Sequence, residues 1–206
     1  MSSWLFTVTA ILSLLVTALP AQNPQAVFDR AVAAFFDGRL EHAADGFDRV
    51  AKLRPDLAPK LWQRGISLYY VGRYEGCRTQ FESHRTVNPD DVENAAWHFL
   101  CVARGDSPAR ARVALLPVGY DTRIPMREIY DMFRGVGTPE AVLEAAGSEP
   151  RALFYAHLYL GLYFEAIGRD DRALKHITAA AAKRYETVGG YMYGVSLVHF
   201  GVLRGR

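Results

Sequence analysis

The sequence has little net charge and little cysteine. Its 206 residues carry 24 Lys and Arg against 22 Asp and Glu, so the formal net charge is only +2. A chain this close to neutrality has no general electrostatic attraction for nucleic acid or for an anionic membrane surface, so we expect neither as a partner. Two cysteines are too few for a scaffold built on disulfides.

Sequence motifs of catalysis are missing as well. The chain has no Gly-x-Ser-x-Gly nucleophile elbow, no phosphate-binding glycine loop and no His-Glu-x-x-His helix. Carboxylates are spread along what read as solvent-facing helix surfaces. Four histidines are isolated from one another along the chain: His42, His157, His176 and His199. We therefore expect a protein that is not an enzyme and needs no cofactor.

What the sequence does contain begins with an uncharged apolar segment. Residues 4–20 read WLFTVTAILSLLVTALP, and the first charged residue is Asp29. The run is short for a membrane-spanning helix, which needs about 20 apolar residues, and its length is typical of the core of a secretory signal peptide. Small residues at Ala18 and Ala21 offer two cleavage sites, although the usual basic residues before the core are missing.

Residues 1–21 are therefore interpreted as a signal peptide, with an uncleaved N-terminal membrane anchor as the alternative. The first interpretation predicts an exported protein, periplasmic or secreted. The second predicts a protein that touches the membrane only through this segment. Residues 22–206 form the folded domain in both cases, because half of all residues are hydrophobic and 22% are charged, as in globular proteins.

A period of 34 residues relates two segments of this domain, about 24–57 and 58–91. Three features return after that interval: Pro55 as Pro89, Phe47 as Phe81, and Gly38-Arg39 as Gly72-Arg73. A third copy over residues 154–187 keeps Gly161, Gly168-Arg169, Ala173, Ile177 and Ala180, with Tyr185 in place of the proline. A fixed period of this length is typical of stacked helical repeats.

Each copy predicts a hairpin of two helices. Small residues, Ala31 or Gly65 on the first helix and Ala43 or Cys77 on the second, allow the two helices to approach closely. The Gly-Arg pair forms the turn, and the proline ends the second helix because it cannot continue one. The copies predict an all-α fold, a solenoid of helical hairpins.

The register is lost in the middle of the domain, over residues 92–150. Helices are predicted there at 92–104, 125–133 and 138–146, and Ser107-Pro108 reads as the start of another. Residues 190–203 are predicted to form a C-terminal helix that caps the last repeat.

The repeats resemble the tetratricopeptide repeat (TPR) family, in which the first helix of each repeat lines a concave groove. The resemblance places eleven mostly aromatic and aliphatic residues in that groove: Phe28, Val32, Phe35, Phe36, Trp62, Ile66, Tyr69, Tyr70, Tyr155, Leu158 and Leu162. Such a groove suits a protein or peptide partner, since aromatic anchors dominate binding energy. The alternative is that several of them pack against the middle helices or a second copy of the chain.

Three local stretches narrow the resemblance: residues 64–73 (RGISLYYVGR), 88–91 (NPDD) and 97–100 (WHFL). They are similar to periplasmic TPR lipoproteins of the NlpI type, which are non-catalytic adaptors in cell-envelope maintenance and often homodimers. The resemblance implies such a scaffold function here, and a homodimer. The chain lacks the cysteine to which a lipid anchor would be attached in that family.

A second hypothesis concerns Cys77, His84, His98 and Cys101, whose side chains are of the types that bind zinc. They would form a metal- or redox-linked binding module. Cys77 and His84 lie about 10 Å apart along a helix, however, which is too far for one tetrahedral site. A Cys77–Cys101 disulfide is an alternative, but helix spacings of about 8–10 Å make it tight, so we expect two free, buried thiols.

Overall fold

The computed structural model describes residues 23–205, which form helices that pack on their neighbours, and no β-strand occurs in this range. The predicted all-α, repeat-like fold is confirmed. The α-helices are α1 (Pro24–Phe36), α2 (Leu40–Leu53), α3 (Trp62–Tyr70), α4 (Tyr74–Arg85), α5 (Val92–Gly105), α6 (Pro108–Val113), α7 (Met126–Arg134), α8 (Pro139–Ala146), α9 (Pro150–Ala166), α10 (Asp170–Ala180) and α11 (Glu186–Arg204); short 3-10 helices cover Pro55–Lys60 and Lys183–Tyr185. The apolar segment interpreted as a signal peptide lies outside the described residues.

The three hairpins, α1–α2, α3–α4 and α9–α10, share one turn geometry. Gly38, Gly72 and Gly168 have φ angles of +74°, +73° and +72°, a left-handed conformation that glycine adopts without steric cost. In each turn the amide of the following arginine donates to the carbonyl five residues back, at 2.8–2.9 Å. These bonds satisfy carbonyls that the end of a helix would leave unpaired.

Small residues bring the paired helices together. A Cβ atom added at Gly65 would lie 2.6 Å from the ring of Phe81, and one added at Gly161 would lie 2.6 Å from the side chain of Ile177. In the first hairpin Ala31 faces Gly46, where an added Cβ would lie 2.8 Å from the alanine Cβ. A larger side chain at these positions would push the helices apart.

The irregular middle segment is stabilised by two helix N-caps and by the ion pairs of Arg123. Ser107 and Thr138 accept hydrogen bonds from backbone amides at the starts of α6 and α8. Arg123, in the connection between α6 and α7, contacts Asp91, Glu93 and Asp121 at 2.5–2.6 Å. This cluster fixes the connection to the start of α5.

The expectation of two free thiols is wrong, because Cys77 of α4 and Cys101 of α5 form a disulfide. Both residues are fully buried, and their Cα atoms lie 5.8 Å apart, within the range that a disulfide spans. Packed helix axes lie about 8–10 Å apart, but the Cα atoms of facing residues with small side chains approach more closely than the axes do.

The C-terminal helix α11 packs on α9 and α10, as expected of a cap. It also packs on α1, the first helix of the described chain. Its helical path is broken at Gly190, where φ is +53° and ψ is −136°. After the break, Gly194 lies directly against the ring of Phe36 with no room for a side chain. The last helix therefore returns to the first. None of the helices in residues 23–205 combines the length and apolarity needed to span a membrane.

Candidate functional site: an aromatic pocket beside the C-terminal helix

The eleven residues predicted to line the groove differ widely in accessibility. Phe36 is 40% exposed, and the others are partly or fully buried. Those packed at the edge of the core are Phe28, Val32, Trp62 and Tyr70. Those buried within it are Phe35, Ile66, Tyr69, Tyr155, Leu158 and Leu162. These residues therefore do not form an open aromatic groove along the first helices of the three repeats.

The helix α11 packs against α1 and α3, two of the helices predicted to line the groove. The ring of Tyr191 lies 4.8 Å from the rings of both Phe36 and Trp62, measured between centroids. Tyr70 of α3 makes a 3.0 Å hydrogen-bond contact with His199 of α11. A cap on the last repeat is what the sequence predicts for α11; these contacts join residues more than a hundred positions apart, and no local pattern indicates them.

A pocket of about 530 Å³, a volume typical of ligand-binding cavities, lies beside α11. Its wall is formed by α3, α4, α5, the start of α9 and the first turns of α11, including the break at Gly190. Three predicted groove residues contribute to this pocket: Trp62, Ile66 and Tyr155.

Aromatic rings form much of the pocket wall. Trp62 meets Tyr191 edge to face, and Trp97 stacks on Phe81 at a centroid distance of 6.3 Å. Tyr155 adds a further ring at the start of α9. Such rings offer large, rigid contact areas that lose little conformational entropy when a partner binds.

Three polar atoms of the pocket lining have no hydrogen-bond partner in the part of the chain that the structure describes. They are Asn94 Oδ1, Trp97 Nε1 and Tyr191 Oη. Asn94 is only 4% exposed and Trp97 only 2%. A buried polar group without a partner costs about 1–3 kcal/mol. The unpaired acceptor and donor on α5 lie below the pocket surface, closed to solvent.

The charged groups at the pocket have partners within the protein. Asp91 and Glu93 contact Arg123, and Glu93 also accepts a hydrogen bond from Tyr159 at 2.6 Å. Burial raises the pKa of Glu93, and neighbouring Asp91 raises it further. The guanidinium of Arg151 lies 5.9 Å from the centre of the Tyr155 ring. The pocket wall thus presents aromatic surface more than unpaired charge.

Beside the pocket, a buried polar network joins α3, α9 and α11. Tyr69 donates a hydrogen bond to Glu165 at 3.1 Å, and His199 Nε2 lies 3.3 Å from the same carboxylate. Burial, together with the Glu165 carboxylate, raises the pKa of Tyr69 well above its usual value. Tyr69 is thus a packed residue that orients the helices, and a partner would not reach it directly.

The four candidate metal ligands do not converge. The sulfur atoms of Cys77 and Cys101 are bonded to each other in the disulfide. His84 Nδ1 lies 2.8 Å from the carbonyl oxygen of Pro59. His98 Nε2 lies 3.4 Å from a carboxylate oxygen of Glu82. No group of three or more His, Cys, Asp or Glu side chains in residues 23–205 is arranged to hold a metal ion.

The sequence was also compared with models of known protein families, and none of them matches it.

Proposed function

We propose that the protein is a non-catalytic adaptor that binds a protein or peptide partner through the aromatic pocket beside α11. The observation that carries the proposal is the pocket of about 530 Å³ whose wall contains five Phe, Trp and Tyr residues. A pocket of this size with aromatic walls is the default candidate for a binding site. The side chains concerned are Trp62, Phe81, Trp97, Tyr155 and Tyr191.

Membership of the TPR class is part of this proposal. It is supported by the 34-residue period, by the repeated Gly-Arg turn and by the close contacts at Gly65 and Gly161. The similarity to NlpI-type adaptors extends the proposal to a scaffold in cell-envelope maintenance, acting as a homodimer. These finer statements rest on the sequence resemblance alone.

An exported location is proposed on two grounds. The first is the apolar segment of residues 4–20. The second is the buried Cys77–Cys101 disulfide, since disulfides persist in oxidising compartments outside the cytosol. A periplasmic or secreted protein satisfies both, and so does a protein anchored through its N-terminal segment.

The test is photo-crosslinking of the full chain in its native envelope, followed by reconstitution with the partner that is captured. A photoreactive residue at Val188, in the pocket wall, should capture one defined partner, and the same residue at exposed Val113 should not. Trp62→Ala should then weaken binding of the purified partner at least tenfold. Truncating an aromatic anchor to alanine typically costs about 2 kcal/mol or more of binding free energy.

Val113→Ala is the matched control and should bind as the unaltered chain does. Undiminished binding by Trp62→Ala, in a protein of unchanged helical content, would place the partner elsewhere on the surface. Tyr69→Ala is unsuitable for this test, because it would leave Glu165 without the hydrogen bond that Tyr69 donates.

A further inference from the structure

We propose that the aromatic pocket beside α11 binds a lysine or arginine side chain of the protein partner. The inference rests on the proposed function and specifies the chemistry of that partner. Two features of the pocket wall carry it together. The wall contains aromatic rings that are partly accessible, and it contains carboxylates whose charge is not balanced within the described chain.

The accessible rings are those of Trp62 and Tyr191, which are both half-buried in the pocket wall. The face of a tryptophan or tyrosine ring attracts a cation, because its π electrons carry partial negative charge. The chain itself makes such a contact at the pocket, where the guanidinium of Arg151 lies 5.9 Å from the centre of the Tyr155 ring. The wall therefore suits a cation as well as an apolar side chain.

The carboxylates are those of Asp91 and Glu93, which line the same pocket and whose side chains are 22% and 15% exposed. Each of them contacts Arg123, which also contacts Asp121. Within the described chain, no second Lys, Arg or His lies within 4 Å of these three carboxylates. Each carboxylate thus has a partner, but the charges do not balance. Even with Arg151 counted, negative groups outnumber positive ones.

Glu93 is affected by this excess. Burial and the neighbouring Asp91 raise the pKa of Glu93, although Arg123 acts in the opposite direction. A carboxylate partly closed off from water is stabilised by a further positive charge, because the interaction is little screened there.

Other classes of ligand fit this wall less well. An apolar side chain would remove the carboxylates from water without supplying a countercharge, and an anionic one would be repelled. A lysine or arginine side chain supplies the charge, and its aliphatic stem can pack against the rings. Charge complementarity therefore selects a basic side chain as the group that enters the pocket.

The experiment selects peptides from a random displayed library against the full chain and keeps those that crosslink to a photoreactive residue at Val188, in the pocket wall. One lysine or arginine of the best peptide should be required for binding. Each basic residue is replaced in turn by a neutral counterpart, citrulline for arginine or acetyl-lysine for lysine, which keeps the stem and removes the charge. At the recognised position this should weaken binding about tenfold.

The same replacement should cost at most about threefold against Glu93→Gln, because one of the attracting charges is gone. The glutamine oxygen can still accept the hydrogen bond from Tyr159. Asp91→Asn should act in the same way, and asparagine can still cap α5. The matched control is Glu140→Gln, which removes an exposed carboxylate outside the pocket and should leave the tenfold loss unchanged.

A second readout needs no variant of the protein. Added sodium chloride should weaken binding of the charged peptide to the unaltered chain more than binding of its neutral counterpart, because salt screens the attraction between charges. Isothermal titration calorimetry of the synthetic peptides, with blocked ends, measures both comparisons.

The outcomes separate the two proposals. Three results would overturn the inference and leave the adaptor function standing: a crosslinked peptide that needs no basic residue, an equal replacement loss in the unaltered chain, Glu93→Gln and Asp91→Asn, or an equal salt dependence of the two peptides. A selection that yields no crosslinked peptide, together with no partner captured at Val188, would overturn both.

Discussion

Gly190 has a backbone conformation that other residues adopt only with strain. Its φ of +53° combined with a ψ of −136° is almost restricted to glycine, and it turns α11 so that Tyr191 reaches Phe36 and Trp62. A Cβ atom at this position would meet no neighbour within 4 Å. The requirement for glycine is therefore one of backbone conformation and not of space.

Gly190→Ala should lower the free energy of unfolding by about 1–3 kcal/mol, the cost of holding a side-chain-bearing residue in that conformation. Gly201→Ala is the matched control in the same helix. Its added Cβ also meets nothing, but the residue is helical, so the change should be neutral or stabilising by about 0.5–1 kcal/mol. Urea unfolding followed by circular dichroism measures both. Equal effects of the two variants would refute the strain argument.

His157 and His176 are paired, with their Nδ1 atoms 3.0 Å apart. Burial, with the neighbouring positive groups of His157, Lys175 and Arg172, lowers the pKa of His176 to about 4 from its usual 6.5. Burial also lowers the pKa of His157. The unfolded chain therefore binds more protons than the folded chain between about pH 6.5 and 4.

The pair should make stability depend on pH, with the full contribution present above about pH 6.5 and lost as the pH falls toward 4. The loss should be on the order of 1–2 kcal/mol, allowing for the contact of half-buried His157 with water. Denaturant titrations at several pH values measure it. His176→Gln should flatten the dependence in this window, whereas the same substitution at exposed His42 should leave it as it is.

At the scale of helices, the disulfide links the second repeat to the irregular middle segment. Cys77 belongs to α4, whose place in the repeat was evident from the period, and Cys101 belongs to α5, which has no repeat counterpart. Because α5 also supplies Asn94 and Trp97, the link fixes one wall of the pocket against the repeats.

Replacing both cysteines by alanine should lower the free energy of unfolding by about 3 kcal/mol, since the disulfide closes a loop of 24 residues. Denaturant unfolding of the oxidised chain and of the double variant gives the difference. Addition of a reductant to the unfolded, oxidised chain should release two thiols. Two thiols titrated before reduction would show that the bond is absent.

At the scale of the whole molecule, α11 closes the arrangement by packing on α9, α10 and α1. Tyr191 lies at the centre of this closure, between Phe35, Phe36 and Trp62. The first turns of α11, residues 187–192, also form one wall of the pocket, opposite residues of α3 to α5. The stability of the fold and the shape of the pocket thus depend on the same helix.

Tyr191→Ala should lower the free energy of unfolding by about 2–4 kcal/mol, because it removes a ring packed against three others. Leu197→Ala, on the exposed side of the same helix, should change it by less than about 0.5 kcal/mol. Thermal and urea unfolding compare the two. A small effect at Tyr191 would mean that α11 contributes little to closing the molecule.

The sequence by itself determined the helical hairpins, because their signals are local. Gly38, Gly72 and Gly168 mark turns wherever the chain folds, and Ser107 and Thr138 cap the helices that follow them. The tertiary structure alone decided the site. The return of α11 to α1, the Cys77–Cys101 pairing and the pocket around Asn94 and Trp97 depend on how far each hairpin rotates against the next. Small rotations add up over several helices, and no short stretch of sequence records their sum.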